Sequence, residues 1–379
     1  MLRGGVVVIK DKSKDLIKEL FALAEIGING SNPWDIRVHD ERFYRRILAE
    51  HSLGLGESYM DGWWDCDRLD EFFFRFLRSA LENKVKPWKL IFEVIRSKIF
   101  NLQSKSRAFH VAEKHYNLGN DLYRAMLDKR MNYSCGYWKN ARSLDEAQEA
   151  KLELICRKLN IRPGMTVLDI GCGWGAFEKY AAEKYKVKVL GLTVSKEQME
   201  LGNQLCKGLP VEIRLQDYRT VEGKYDCVIS IGMMEHVGYK NYRTYMEVVN
   251  RTLKDDGIAF IHTIGRNEAI TENDPWLDKY IFPNGMLPSV SQIGKAMEGL
   301  FVMEDWHSFG PDYDKTLMAW YQNFDNSWPK IKSNYDEIFY RMWKYYLLMC
   351  AGSFRARRIQ LWQIVFSKKG VVGGYTSLR

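Results

Sequence analysis

Asp169, Gly171, Gly173 and Gly175 occur at alternate positions directly after a short apolar run, residues 166–170, and before a helical pattern at 176–184. A buried strand that ends near an acidic residue and turns through glycines into a helix makes a backbone cradle. Glycine lets the main chain approach a ligand that a Cβ would push away, and the helix N-terminus adds its N–H groups. The spacing is D-x-G-x-G-x-G, with Cys172 inside the turn, whereas dinucleotide folds carry G-x-G-x-x-G. This form fits the amino-acid end of S-adenosylmethionine, with Asp169 close to the ammonium or ordering the loop. A structural turn or another nucleotide competes, because a lone glycine-rich turn is weakly specific.

The surrounding pattern says what must hold that turn. Short apolar runs at 166–170, 187–193, 211–216, 225–231 and 257–263 read as strands. Helical patterns follow at 196–206 and 242–253, and a capping box at 143–146 opens a helix running to 159. Such alternation predicts an α/β fold, a doubly wound, mostly parallel sheet of the class I adenosylmethionine-dependent methyltransferase type. Ligands of such sheets sit beyond the carboxyl ends of the strands. Four stretches fall there: 171–175, 193–198, 216–218 and 235–236. Gln198 can reach ribose hydroxyls with Thr193 beside it. Next to Gln216, Asp217 can accept from the adenine amino group, and Tyr218 offers a stacking face. Tyr133 and Ser134, before Cys135, lie outside the sheet and could close over the ligand. Residues 265–288 have no regular pattern and read as an insertion. With 312–314 and a helix at 335–350, they would roof an acceptor site. Residues 359–366 read as the last strand.

The chain has 379 residues, more than one ordinary domain needs, and its 46% hydrophobic and 27% charged content is that of a globular protein. Seven cysteines, scattered and without a C-x-x-C pair, argue against a disulfide framework or a structural zinc, so no metal is expected. The absence of a long apolar run or a signal peptide points to the cytoplasm. Helices are expected at 14–26, 40–51 and 69–81, with a glycine- and aromatic-rich packed turn at 54–65. The phenylalanines at 72–74 and 76 read as core. The net charge is +8, and residues 84–107 hold seven basic residues against Glu93 alone, a local net of +6. Trp88, Leu90, Ile91, Val94, Ile95, Ile99 and Phe100 interleave with those charges. That suits a basic amphipathic helix on an anionic bilayer, or an ordinary interdomain helix with a solvated face. The expected division is a smaller, mainly helical N-terminal domain at 1–100, a linker at 101–107 and a catalytic domain at 108–379. A nucleic-acid methyltransferase is disfavoured. The basic excess lies outside the catalytic domain, and no target-recognition module is visible.

Longer motifs add a resemblance. GLGESYMDGWW at 54–64, HYNLGNDLY at 115–123, YSCGYW at 133–138, VLDIGCGWG at 167–175, MEHVG at 234–238, HTIG at 262–265, DYDKTL at 312–317 and FRARRIQLWQ at 354–363 occur in order. Over nearly its full length the chain resembles bacterial cyclopropane-fatty-acyl-phospholipid synthases. Its catalytic half is also similar to the mycolic acid cyclopropane synthases, which lack an equivalent N-terminal domain. The resemblance implies transfer of a methylene from S-adenosylmethionine to the cis double bond of a phospholipid acyl chain. It implies bicarbonate as the base, held by Cys135, Glu235, His262, Ile264 and Tyr313, with Cys135 and Ile264 acting through the backbone. The cosubstrate residues would be Tyr133, Ser134, Asp169, Gly171, Cys172, Gly173, Gly175, Thr193, Gln198, Gln216, Asp217 and Tyr218. Cys350 lies in a shared stretch, but the chemistry needs no covalent enzyme intermediate, so a structural thiol is the simpler reading. His236 and His115 are secondary candidates. A homodimer peripherally attached to the cytoplasmic membrane, with the bilayer as partner, is also implied. A lipid methyltransferase leaving a methyl branch and a non-catalytic membrane-binding module remain as alternatives.

Overall fold

The computed structural model describes residues 13–79 and 119–379. The basic segment 84–107, the linker 101–107 and His115 lie outside the described residues.

The N-terminal part is built of α1 (Ser13–Ala22), β1 (Arg37–Val38), α2 (Arg42–Met60), β2 (Trp64–Asp65) and α3 (Leu69–Arg78), with β1 and β2 paired antiparallel. The expected packed turn at 54–65 is corrected here. After a break at His51 (φ 52°, ψ −124°), residues up to Met60 are helical. Gly54 and Gly56 act there as close-contact residues instead of helix breakers. A Cβ on Gly54 would stand 2.5 Å from the Arg46 carbonyl oxygen, and one on Gly56 would stand 2.3 Å from the Trp276 ring. On α3, Phe72 and Phe73 are buried in the core, whereas Phe74 and Phe76, expected there as well, are only half-buried.

The second part begins with α4 (Asn120–Met126) and α5 (Leu144–Lys158). Ser143 caps α5 by accepting the Glu146 N–H. A strand-and-helix alternation follows: β3 (Thr166–Ile170), α6 (Ala176–Tyr185), β4 (Lys188–Thr193), α7 (Lys196–Leu205), β5 (Val211–Leu215), β6 (Tyr225–Ile231), α8 (Met234–Val237), α9 (Tyr242–Thr252) and β7 (Leu253–Arg266). The remainder comprises α10 (Pro275–Tyr280), α11 (Val290–Met297), β8 (Val302–Ser308), α12 (Pro311–Ile331), α13 (Glu337–Arg355) and β9 (Ile359–Ser367).

Seven strands form one sheet in the order β5-β4-β3-β6-β7-β9-β8. β3 to β7 pair in parallel, and β9 lies antiparallel between β7 and β8. Two elements escape the sequence pattern. β8 is an edge strand whose Val302 and Met303 are exposed, so it lacks an apolar run. α12 spreads its aromatic residues around a polar helix and contains Pro329. The supposed patternless insertion at 265–288 holds α10, capped by Asp274, which accepts the Trp276 and Leu277 N–H groups at 3.0 and 3.1 Å.

One buried cluster joins the N-terminal part to α12 and α13, including Phe72, Phe73, Trp276, Trp320, Trp343 and Tyr345. Gly352 of α13 lets α3 approach so closely that a Cβ would meet Phe73 at 2.6 Å. Arg355 bridges the contact, donating to Asp70 at 2.8 Å and to Asp314 at 2.9 and 3.0 Å. Glu57 of α2 accepts from Lys279 and Tyr280 on α10 at 2.6 and 2.8 Å.

Candidate active site

The carboxyl ends of β3, β4, β5 and β6 open on a cavity of about 180 Å³. Every residue expected to hold the cosubstrate lines it except Gly175. Gly171 and Gly173 take positive φ (96° and 55°) and bare the turn after β3. Gly175 (φ 83°) instead swings the chain into α6, and a Cβ there would stand 2.8 Å from Ile213 of β5. Its expected ligand role is therefore corrected to one of turning and packing.

Several polar groups around the cavity are already paired. Thr193 donates its hydroxyl to Gln198 Oε1 at 2.7 Å, and Ser195 caps α7 by accepting the Gln198 N–H at 3.3 Å. Asp217 accepts from Arg219 through both oxygens, at 2.8 and 2.6 Å. Tyr218 lies against Tyr245, with ring centroids 5.6 Å apart. Gln216 donates to Thr220 at 3.2 Å. Over the cavity, the Tyr133 and Tyr346 hydroxyls share a hydrogen bond of 2.9 Å.

Beneath the glycine turn, Asp169 and Glu178 are buried together. Asp169 Oδ1 and both Glu178 carboxylate oxygens meet no N–H or O–H donor. Two bare carboxylates would repel, so the pair keeps a proton. Burial and the Asp169 charge raise Glu178 well above the ordinary carboxyl range, which places that proton on Glu178.

A second polar group lies at β7 and α8. Glu235 Oε1 accepts the Ile264 N–H at 2.6 Å, and its Oε2 is buried without a partner. Burial pushes Glu235 up to about 7, against the backbone donors. His262 pairs across strands with Gln363 of β9. The Gln363 amide donates to His262 Nδ1 at 3.3 Å, so the neutral ring carries its proton on Nε2, which is buried and unpartnered. Burial, helped by the charges of Lys151 and Lys158 and by His307, drives the His262 pKa well down and keeps the ring neutral. Ile264 has thus committed its N–H to Glu235, and its carbonyl accepts from the Thr263 hydroxyl at 2.9 Å.

Tyr313 lies on α12, and the Cys135–Gly136 segment is tied to the same helix through Thr316. Thr316, one turn after Tyr313, accepts the Gly136 N–H at 3.1 Å and the Trp138 indole N–H at 2.9 Å, and stands 3.7 Å from Cys135 Sγ. Tyr313 stacks on Phe354 at 4.5 Å and meets Trp320 edge-on at 5.9 Å. Trp320 also packs on Tyr133 at 5.2 Å. Burial raises the Cys135 thiol well above its ordinary range and the Cys350 thiol to about 12. Neither is a poised thiolate. His236 lines the cosubstrate cavity, and burial lowers it to about 4.

Sequence reasoning passed over Gln148, Lys151, Glu178, Thr316 and Gln363. One signal was available on α5, where Gln148, Lys151 and Lys158 are buried in the same stripe as Leu144, Ala147, Leu152 and Ile155. A polar residue inside an apolar stripe needs a buried partner.

Comparisons with known proteins agree with this geometry. Residues 103–364 match the family described as mycolic acid cyclopropane synthetase. The cyclopropane-fatty-acyl-phospholipid synthase of Escherichia coli is 55% identical over 370 residues, which is 97% of this chain and 97% of that protein. The solved cyclopropane synthase MmaA2 of Mycobacterium tuberculosis is similar with a TM-score of 0.66 at 28% identity, covering 71% of this chain and 100% of its own. The mycolic acid cyclopropane synthase CmaA1, solved in complex with SAH and CTAB, gives a TM-score of 0.64 at 33% identity, covering 69% and 98%.

Proposed function

The chain belongs to the mycolic acid cyclopropane synthetase family, and on that premise we propose that it is a cyclopropane-fatty-acyl-phospholipid synthase. It transfers a methylene from S-adenosylmethionine to the cis double bond of unsaturated acyl chains in phospholipids. The observation that carries this reading is the junction of two unlike sites. A cavity suited to the cosubstrate adjoins a buried group whose Glu235 Oε2 and His262 Nε2 have no protein partner.

An alkene is a weak nucleophile and a sulfonium methyl a strong electrophile, so aligning them supplies much of the rate. The cavity residues fix the sulfonium, and the ring cluster of Tyr133, Tyr313 and Trp320 excludes water from the cation that methyl transfer leaves on the acyl chain. Each aromatic face can stabilise that cation by up to about 2 kcal/mol. A proton must then leave the new methyl group before the ring closes.

Bicarbonate fits the unpartnered atoms. His262 Nε2–H, held by Gln363, can donate to an anion. Glu235, with a pKa near neutrality, can accept from the hydroxyl of the same ion or share a proton with it. Tyr313 and the backbone at Cys135 and Ile264 complete the proposed set. When bound, the ion would supply a base for the methyl proton. His262 stays neutral because burial disfavours its charged form, and a second positive charge beside Lys151 adds to that.

The acceptor is part of a bilayer, so the enzyme has to work at its surface. The charge pattern of residues 84–107 supports peripheral attachment, and no described helix is long and apolar enough to cross a membrane. A homodimer belongs to the same proposal.

The test is mass spectrometry of unsaturated phospholipid vesicles incubated with the protein and adenosylmethionine bearing a fully deuterated methyl group. Acyl chains should gain one carbon and two deuterons. Three retained deuterons would mean a methyl branch and would sink the synthase reading. No change, with the cosubstrate bound, would move the acceptor elsewhere.

A further inference from the structure

A buried lysine is rare and needs partners for its charge. Lys151 on α5 has 1% of its surface exposed and lines the cosubstrate cavity together with Asp169. Its ammonium carries three N–H donors and no acceptor. Two of them are accounted for: one reaches Asn132 Oδ1 at 2.8 Å, the other Ser134 Oγ at 3.0 Å.

Each bond fixes the direction of its partner. With the Asn132 oxygen turned to Lys151, the amide NH2 faces Asp128 at 2.9 Å, and Asp128 also accepts the Asn132 backbone N–H at 2.7 Å. The Ser134 oxygen accepts from Lys151, so the serine proton must point elsewhere, and no acceptor for it stands among the described residues. Gln148, on the same face of α5, donates to the Ser134 carbonyl at 2.7 Å. One helix therefore pins the segment over the cavity at three points. Among the described residues, the third Lys151 N–H also has no acceptor. Burial lowers the ammonium to about 8, opposed by the neighbouring carboxylates of Asp128 and Asp169, which leaves it mainly protonated at neutral pH.

We propose that Lys151 and Ser134 form the carboxylate-binding half of a zwitterion cradle, in which the third Lys151 N–H and the Ser134 hydroxyl donate to the carboxylate of the cosubstrate's amino-acid end while Asp169 faces its ammonium. This rests on the reading that the cavity holds adenosylmethionine. It explains why a cation is tolerated in a cavity meant for a sulfonium: the ligand carboxylate lies next to the lysine. It also gives opposite charges to the two ends of one small zwitterion, which fixes the direction in which the methionine arm enters.

The test uses two probes on the full chain, with affinities read by calorimetry. S-adenosylhomocysteine has the amino-acid end and 5′-methylthioadenosine lacks it. Lys151→Met should weaken S-adenosylhomocysteine about 10-fold or more, the worth of a hydrogen bond to a charged group, and leave methylthioadenosine unchanged. Ser134→Ala should act in the same direction, and its effect should shrink in the Lys151→Met background because the two residues serve one carboxylate. Equal weakening of both probes would overturn the proposal, since Lys151 would then only support the fold. Should Lys151→Met not melt cooperatively, Lys151→Gln keeps a donor without the charge and is judged by the same two probes. A wild-type protein that binds neither probe would overturn the cosubstrate reading and the cradle with it. Binding that follows the expected pattern without any lipid product would uphold the cradle and defeat only the synthase reading.

Discussion

The two ends of the site differ in how far their polar groups are satisfied by the protein itself. At the cosubstrate end, Thr193 holds Gln198, Arg219 holds Asp217 and Lys151 holds Ser134, with Asp169, the Ser134 proton and the third Lys151 N–H as the exceptions among the described residues. At the base end, Glu235 Oε2 and His262 Nε2 are buried without a hydrogen-bond partner among the described residues. A buried polar atom left unmade costs about 1–3 kcal/mol. The first end is thus a preset mould for a ligand that must leave after each turnover. The second is a high-energy gap that a small ion would relieve, and catalysis there should come at the expense of stability.

The strongest break of this contrast would come from exchanging the roles. His262→Ala and Glu235→Gln should each lower turnover on unsaturated vesicles about 100-fold or more while S-adenosylhomocysteine affinity stays unchanged by calorimetry. If both variants lost that affinity, the two ends would not be separate. A stability measurement sharpens the same contrast. Glu235 has a folded pKa of about 7 against an ordinary 4.5. Between those values the folded state binds the extra proton, so stability falls as pH rises through the window, by about 2–3 kcal/mol once Glu235 is ionised. Urea denaturation of the ligand-free protein at pH 5 and pH 8 should show a smaller loss for Glu235→Gln than for the wild type. Identical losses would mean that Glu235 is not the strained group.

At the cosubstrate end the effects should be milder. Thr193→Val frees Gln198 from its orienting bond and should raise the KM for adenosylmethionine about 5-fold, with kcat at saturation preserved. A fall in kcat instead would place Gln198 in the chemistry. The smallest effect is expected from Cys350→Ser. The thiol, pushed up to about 12, stays protonated, so activity should remain close to wild type; complete loss in a folded variant would revive a nucleophile.

What the sequence disclosed follows the same division. The cosubstrate end is local: a strand, a glycine turn and the starts of helices lie within short stretches, and their spacing alone places Asp169, Gly171 and Gly173 on one cavity. The parallel strands from β3 to β7 are legible for the same reason, being apolar runs between helices. The base end is assembled across long separations. Gln363 meets His262 only because β9 inserts beside β7, and Thr316 meets Cys135 only because α12 packs beside the 133–138 segment. No periodicity encodes either meeting, and the resemblance supplied those candidates instead. Gly175 was misplaced because φ > 0 is needed both for baring a loop to a ligand and for turning into a helix, and the spacing does not separate these uses. The helical end of α2 was missed because glycine usually ends a helix, whereas Gly54 and Gly56 are there to admit the Arg46 carbonyl and Trp276.

The placement of β9 also has a consequence in time. Among the described residues, β8 has no sheet neighbour except β9, and His262 receives its orienting amide from β9 as well. A ribosome that has released the chain only as far as β8 has made every strand that shapes the cosubstrate cavity, yet it leaves β8 without a neighbour and the histidine ring unaimed. Residues 359–367 close both gaps in one step. The strands around the cavity are thus complete in the chain before the segment that orients the His262 ring has been made.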